Sequence, residues 1–473
     1  MLSRQYEILA LTLRYWLVFL MAFIFFQAFK DTWRSFRNRG QYIPVGNGNI
    51  PFVLSMFVMS AFTVLSMRQG QGIDEVVILL GVLIVSIVLF QYYLLKFIFD
   101  GLDGYIILIM DALAVLGFIM LHRLNPAMGF RQVEWFGIGN LALIMAMVFT
   151  IYINDGRKIY YPFMAMAFAL LFYTLLKGTT HGGAKSWVEI GKKHAFQPSE
   201  FIKIILVFVM AIDLKDKKRW RDRLPMFIFA AMVTILVAAQ RDLGTALLYF
   251  CIFIFMYYTA TADWFTILGA LGASSGGAVL SYKFFSHVRV RVQTWKNPWA
   301  AIEDKGYQIA QALIAIGSGG LNGTGLGLGI PQIIPASKTD FIFAAICEEM
   351  GILIGLMMIG FYAIIIMRGI TIALNAYTPF DAILCVGATA SIAIQSFIII
   401  GGVIKLIPLT GVTMPFVSYG GSSMLASLGL VGIIEGVAIK TYRRRQSEVN
   451  EQHEGEENWE MDTGQQDGSH QWE

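Results

Sequence analysis

The chain has 473 residues, of which 56% are hydrophobic and only 14% charged. A soluble domain averages roughly 25% charged residues, so a water-soluble fold of this length is excluded. The net charge of +4 suggests no nucleic-acid partner, and its distribution along the chain says more than its size. Three cysteines, Cys251, Cys347 and Cys385, lie in or beside apolar segments. They form neither a disulfide framework nor a metal-ligand spacing. The six histidines are scattered as well, so no metal held by the protein alone is expected.

A bilayer core takes about 20 mostly apolar residues per helix, within a range of roughly 17–25. By that rule the sequence predicts an all-α, polytopic transmembrane bundle with about 13 spans. In chain order they are 8–28, 51–67, 75–99, 104–121, 135–154, 160–177, 199–213, 224–239, 243–260, 264–283, 341–367, 379–404 and 421–440. The first lacks a basic stretch before it and a small-residue cleavage site after it, so it reads as a span and not as a removable leader. Lys30, Arg34, Arg37 and Arg39 follow it instead. A second basic connector, 214–223, holds Lys215, Lys217, Lys218, Arg219, Arg221 and Arg223, and a third opens the tail with Lys440, Arg443, Arg444 and Arg445. These segments place all three on one face, which the positive-inside rule makes cytoplasmic. The amino terminus is then outside. From about 446 the tail is acidic and polar, and 441–473 is expected to be a disordered cytoplasmic tail.

Three long connectors face outward in this topology: 178–198, 284–340 and 405–420. They are rich in Trp, Gly, Pro and charge, and loops of that length are commonly functional or disordered. In the first, Pro198 and Ser199 mark a helix start, and Glu200 and Lys203 share a face three residues apart. These two, with Lys185, read either as a capped helix end with a local ion pair or as a polar floor for an anionic head group. Gln240-Arg241-Asp242 is a charged break between apolar blocks, and ionisable residues near membrane depth usually line polar cavities. In the second connector, Arg289 and Arg291 lie two apart, and Glu303 and Asp304 precede Gly306-Tyr307-Gln308. The glycine-dense run 317–329 lacks the Gly-Lys-Ser/Thr of a phosphate-binding loop. It reads as a flexible loop or as a backbone cradle beside a sugar or diphosphate. Thr339-Asp340-Phe341 and Glu348-Glu349 follow. In the third connector, Pro415 through Gly421 reads as a broken, re-entrant backbone, which membrane depth tolerates only inside protein or water.

Taken together, Gly183 through Trp187, Gln197 through Glu200 with Lys203, Asp242 through Thr245, Gly306 through Gln308, the glycines 319–327, Thr339 through Phe341, Glu348 through Gly351 and Pro415 through Ser422 resemble the signature of the SEDS family (FtsW, RodA and SpoVE). The blocks run in the family's order and cover about 104–440. The resemblance implies a core of about ten helices, with 1–103 adding about three more at the amino end. It implies an inverting glycosyltransferase that polymerises lipid II at the outer face of the bacterial cytoplasmic membrane. It also implies a class B penicillin-binding protein as partner. No cofactor bound by the protein is expected, although a divalent cation held mainly by substrate phosphates would assist.

On that reading Lys185, Glu200, Lys203, Asp242, Arg289, Arg291, Gln308, Asp340, Ser418 and Tyr419 are candidate substrate-binding residues. One departure matters. The family's usual catalytic aspartate stands five residues before the glycine of Gly306-Tyr307-Gln308, and here that position is Ala301. Glu303 and Asp304 are the nearest carboxylates in sequence and become the candidate bases, with Asp304 preferred. Two other functions remain open: a lipid-precursor flippase or transporter, and a non-catalytic scaffold for a penicillin-binding protein.

Overall fold

A computed structural model describes residues 4–467 except 38–43, 45, 47, 68–71, 182–183, 191–193, 217–218 and 305. Arg39, Gly183, Lys217 and Lys218 therefore lie outside the described residues. Among those described, 12 helices are long and apolar enough to cross a membrane, and the chain is a multi-pass membrane protein. The helix Pro198–Leu214 (α7), of 17 residues, is slightly shorter and almost wholly buried. With it, every expected span corresponds to a helix.

The amino-terminal helices are α1 (Arg4–Arg37), α2 (Asn49–Ser66) and α3 (Glu75–Ile98). Of these, α2 and α3 pack on α4 (Gly104–Leu124), which is buried over its whole apolar length, while α1 packs on α2 and on the later helix Ile352–Asn375. The core continues with α5 (Pro126–Tyr152), α6 (Tyr160–Lys177), α7, α8 (Leu224–Ala239), α9 (Leu243–Thr261) and α10 (Trp264–Phe284). Connector 284–340 then contributes two helices that hydropathy did not predict, α11 (Ser286–Lys296) and α12 (Tyr307–Gly319). The expected span 341–367 is broken into α13 (Ile342–Met350) and α14 (Ile352–Asn375). The break is at Gly351, whose φ of 94° is a backbone state open chiefly to glycine. The bundle closes with α15 (Pro379–Val403) and α16 (Gly421–Asp467).

Two expectations are corrected. Connector 178–198 is not an irregular loop. It forms three short antiparallel strands, β1 (Thr179–His181), β2 (Ala184–Ile190) and β3 (His194–Phe196), in the order β1-β2-β3. Strand registers pair Thr179 with Trp187 and Val188 with Phe196. The tail also differs from the disordered segment expected from its composition, because α16 continues as helix to Asp467. Its Arg, Gln and Glu residues are good helix formers. The Gln446 amide donates to Tyr442 Oη at 2.6 Å, one turn back, and Arg444 stacks on Tyr377 at 4.4 Å.

At the end of the bundle opposite the long connectors, buried charges tie the helices together. Arg368 on α14 bonds the Asp103 carboxylate, with both side chains fully buried. Glu435 on α16 accepts from the Asp103 backbone N–H at 2.9 Å. Lys440 binds Asp381 at 2.9 Å and the Ile153 carbonyl at 2.8 Å. Removing one partner of a buried pair strands the other charge at a cost of about 3–5 kcal/mol. Arg368→Ala should therefore markedly lower the thermal unfolding midpoint of the detergent-solubilised protein. An unchanged midpoint would show that the Asp103 and Glu435 carboxylates do not depend on the guanidinium.

Candidate active site

The elements at the other end of the bundle bring most of the singled-out residues together. Pro198 starts α7 at its first turn, and the helical spacing then sets Lys203 Nζ 2.8 Å from Glu200 Oε2. Lys203 is 1% exposed and also donates to Gln395 Oε1 at 2.6 Å. The Gln395 amide in turn donates to the Thr413 carbonyl at 2.9 Å. Thr413 Oγ1 approaches Glu200 Oε1 at 3.4 Å and Ser423 Oγ at 2.6 Å. The ion pair thus points into the bundle, beneath the 404–420 connector, and not toward lipid. Gln197 extends this network: its N–H donates to Ser422 Oγ at 3.0 Å, and its amide lies 3.4 Å from Asp242 Oδ2.

Asp242 caps α9 by accepting from the Thr245 N–H at 3.1 Å. Burial pushes its carboxyl above the usual aspartate range. The Thr245 hydrogen bonds and Arg291 oppose that shift, and the Glu200 charge adds to it. Asp340 behaves alike: burial raises it, while Thr339 and Arg291 pull it back. Both carboxylates and Arg291 converge on the turn at Thr410 and Gly411. Arg291 donates to the Thr410 carbonyl at 3.2 Å, and a Cβ on Gly411 would lie 3.6 Å from Asp340 Oδ2. A Cβ on Gly244, two residues after Asp242, would lie 2.7 Å from the Thr410 carbonyl. The buried Thr410 hydroxyl has no hydrogen-bond partner among the described residues.

The broken backbone 411–420 is held by side chains from several helices. Ser418 Oγ accepts from the Met414 N–H at 2.9 Å and donates to the Thr339 carbonyl at 2.7 Å. The Tyr419 N–H donates to the Lys338 carbonyl at 3.0 Å. Gln132 bridges the Ser418 carbonyl and the Gly420 N–H at 3.0 and 3.1 Å, and Tyr362 Oη donates to the Pro415 carbonyl at 2.6 Å. The polar groups of Ser418 thus serve the backbone of the site.

Other candidates are elsewhere or engaged. Glu303 and Asp304 lie exposed on the turn 301–306, with no ion pair among the described residues. Gln308 is exposed at the start of α12. Arg289 is two residues from Arg291 on α11, so it points to a different face. It donates to the Lys283 carbonyl at 3.0 Å and lies over Tyr282, which separates the expected arginine pair. Lys185 Nζ donates to the Leu175 carbonyl at 2.8 Å, occupying a carbonyl at the end of α6.

The glycine run 317–329 is a structural clamp, not an open cradle. Several N–H groups in and beside it are taken by protein: Gly327 donates to Glu349 Oε2 at 2.8 Å, Ile330 to Glu348 Oε1 at 2.7 Å, and Thr324 to the Glu348 carbonyl at 2.9 Å. Buried Arg123 pairs with Glu349 at 2.9 Å and donates to the Gly329 carbonyl at 3.0 Å. From α1, Tyr6 Oη and Arg14 reach the Leu326 and Gly323 carbonyls at 2.9 and 3.0 Å. Gln132, Gln395, Thr413 and Arg123 escaped the sequence reading, although a polar side chain inside an apolar span is itself a signal.

Residues 103–443 match the model of the cell cycle protein family of FtsW, RodA and SpoVE. The chain belongs to that family. It is 32% identical over 418 residues to the peptidoglycan glycosyltransferase RodA of Mycobacterium tuberculosis, covering 81% of this chain and 88% of that protein. It is 35% identical to stage V sporulation protein E of Bacillus subtilis, over 65% and 86% of the two chains. The Thermus thermophilus rod shape determining protein RodA has a similar fold, with a TM-score of 0.53, 25% identity, and coverage of 71% of this chain and 96% of that one. A chain from a peptidoglycan synthase complex that coordinates polymerization and crosslinking superposes with a TM-score of 0.61 at 24% identity, over 72% and 98% of the chains.

The clamp in this SEDS chain depends on glycine at position 351. A Cβ on Gly351 would lie 2.3 Å from the Leu321 carbonyl, on a residue already at positive φ. Gly351→Ala should cost at least the 1–3 kcal/mol of such backbone strain, read as a lowered unfolding midpoint. Gly137→Ala, in open space on α5, should leave the midpoint unchanged or raised. Equal effects of the two changes would contradict the clamp.

Proposed function

We propose that the chain is a peptidoglycan glycosyltransferase that polymerises lipid II on the outer side of the bacterial cytoplasmic membrane. The observation that carries this reading is the half-buried pair Asp242 and Asp340, each within the influence of the Arg291 charge, at the end of a family-matched bundle where the long connectors meet. In the reaction a sugar hydroxyl attacks the anomeric carbon that bears a polyprenyl diphosphate. The hydroxyl proton passes to a carboxylate, and the diphosphate departs with the bonding electrons. Asp340 is placed as the base, because its carboxylate is raised and faces the 410–411 turn. Arg291 counters the charge that develops on the diphosphate. The Glu200–Lys203 pair holds the floor beneath them. A divalent ion would enter with the substrate, whose phosphates supply most of its oxygen ligands. No group of three His, Cys, Asp or Glu residues able to hold a metal occurs among the described residues. A class B penicillin-binding protein is the proposed partner, and it would cross-link the product.

A general base contributes about 10²–10⁴-fold. Asp340→Asn should reduce glycan formation from purified lipid II by that factor, while Glu303→Ala with Asp304→Ala leaves the rate intact. The base must be ionised, so the rate should rise with pH through a carboxylate pKa above the ordinary value of about 3.9. Asp340→Asn should remove that rise. Full activity of Asp340→Asn, or loss of it in the Glu303/Asp304 variant, would return the base to the 301–306 turn.

A second reading rests on Ala301, which is exposed and carries no carboxylate. Here the chain is a catalytically silent scaffold. Ala301→Asp would then convert an inert protein into a polymerase, whereas an enzyme that uses Asp340 is active without it.

The proposed sidedness is tested by cysteine labelling. Cysteines at Arg219 and Glu303, both exposed, should react from opposite sides of the membrane, with position 219 cytoplasmic. Labelling of both from one side would refute the topology.

A further inference from the structure

The outward face of α1 carries a feature that the glycosyl-transfer reading does not use. Residues 19, 23, 26, 30, 33 or 34, and 37 recur every three or four positions, so they form one stripe along the helix. Two contiguous grooves run along this stripe. The first, about 500 Å³, is walled by Phe19, Phe23 and Phe26, and the second, about 730 Å³, by Phe26, Trp33, Arg34 and Arg37. Lys30 lines both. The stripe is therefore apolar toward the middle of the helix and cationic at its end. The carboxylate that touches the first groove, Asp31, is already bonded by Tyr105 Oη. Lys30, Arg34 and Arg37 are exposed and have no carboxylate partner among the described residues.

The length of the helix places this change of polarity at a membrane boundary. The 34 residues of α1 span about 50 Å, against a hydrocarbon core of about 30 Å. The outer end is fixed by Tyr6 and Arg14 on the glycine clamp, so the surplus length emerges at the basic end. Stacked Phe29 and Trp33, with centroids 5.9 Å apart, form the kind of aromatic rim found at head-group level.

We infer that this stripe binds an anionic glycerophospholipid, with an acyl chain along Phe19, Phe23 and Phe26 and the phosphate among Lys30, Arg34 and Arg37. A zwitterionic lipid would not satisfy three unpaired cations. A partner's transmembrane helix would leave the cations unmatched unless it carried acidic residues at the same depth.

The experiment uses the full chain in detergent, titrated with dioleoylphosphatidylglycerol or dioleoylphosphatidylcholine and read by native mass spectrometry and thermal shift. It measures lipid binding and not polymerisation, so it stands or falls independently of the proposed activity. Phosphatidylglycerol should bind and stabilise in preference to phosphatidylcholine. Each cation near an anionic surface is worth roughly a fivefold change in binding. Arg34→Gln with Arg37→Gln should thus weaken binding more than tenfold, while Arg34→Lys with Arg37→Lys retains most of it. Phe26→Ala with Trp33→Ala, which leaves the charge unchanged, should also weaken binding if the groove is a site. Equal binding of the two lipids would overturn the inference, as would full retention in the Phe26/Trp33 variant, which would mean only diffuse surface charge. Competition by glycerol phosphate alone would reduce the site to a phosphate contact and overturn the acyl-groove assignment. Preference for a polyprenyl phosphate over phosphatidylglycerol, or cross-linking of α1 to a partner's helix in membranes, would assign the stripe to a different occupant.

Discussion

A backbone that leaves the helix inside a bilayer has to find its hydrogen bonds in protein, because lipid offers none. The 404–420 connector sets this demand, and much of the end of the bundle that carries the long connectors is arranged to meet it. Gln132 from α5, Tyr362 from α14 and Gln395 from α15 each supply a bond to its main chain. Ser418 closes the turn upon itself and links it to Thr339. Three helices and connector 284–340 are therefore held in register by one irregular segment. The same segment presents the Thr410 carbonyl to Arg291 and brings Gly411 beside Asp340. What satisfies the backbone also assembles the polar site.

Carboxylates here divide by function. Glu348 and Glu349 spend their oxygens on the N–H groups of the glycine run, and Glu349 is further neutralised by Arg123. They hold shape. Asp242 and Asp340 are less fully engaged, are destabilised as anions by burial, and share one nearby guanidinium. A carboxylate in that condition is a stronger proton acceptor than an exposed one. Glu303 and Asp304, nearest to Ala301 in sequence, are exposed and lack an ion-pair partner among the described residues.

The helical bundle was legible because length and hydropathy report directly on what a bilayer requires. All thirteen expected spans have helices, and the break at Gly351 is invisible to a hydropathy window, which registers Glu348-Glu349 only as a brief dip. Helices α11 and α12 were missed because they are amphipathic and flanked by loop-like residues. The strands at 179–196 were missed because β1 and β3 are only three residues long and the seven of β2, Ala-Lys-Ser-Trp-Val-Glu-Ile, do not alternate cleanly between apolar and polar. Within the site, the Glu200–Lys203 pair follows from helical spacing alone. The convergence of Asp242, Arg291 and Asp340 does not, since it joins three connectors through a turn at Thr410 that no local pattern marks. The helical form of 446–467 shows that low hydrophobicity excludes a packed core without excluding helix.

The contacts between α1 and the glycine run bear on biosynthesis. Tyr6 and Arg14 bond to carbonyls more than 300 residues later in the chain. During synthesis the first helix enters the membrane long before its acceptors exist, and it must keep Arg14 solvated at the interface until they arrive. The bundle can close only when the glycine run has emerged and folded onto Glu348 and Glu349. The earliest span is thus fastened only late, and a chain arrested before residue 323 would display an unfilled seam along α1 to whatever insertion factor or quality-control protease surveys the membrane.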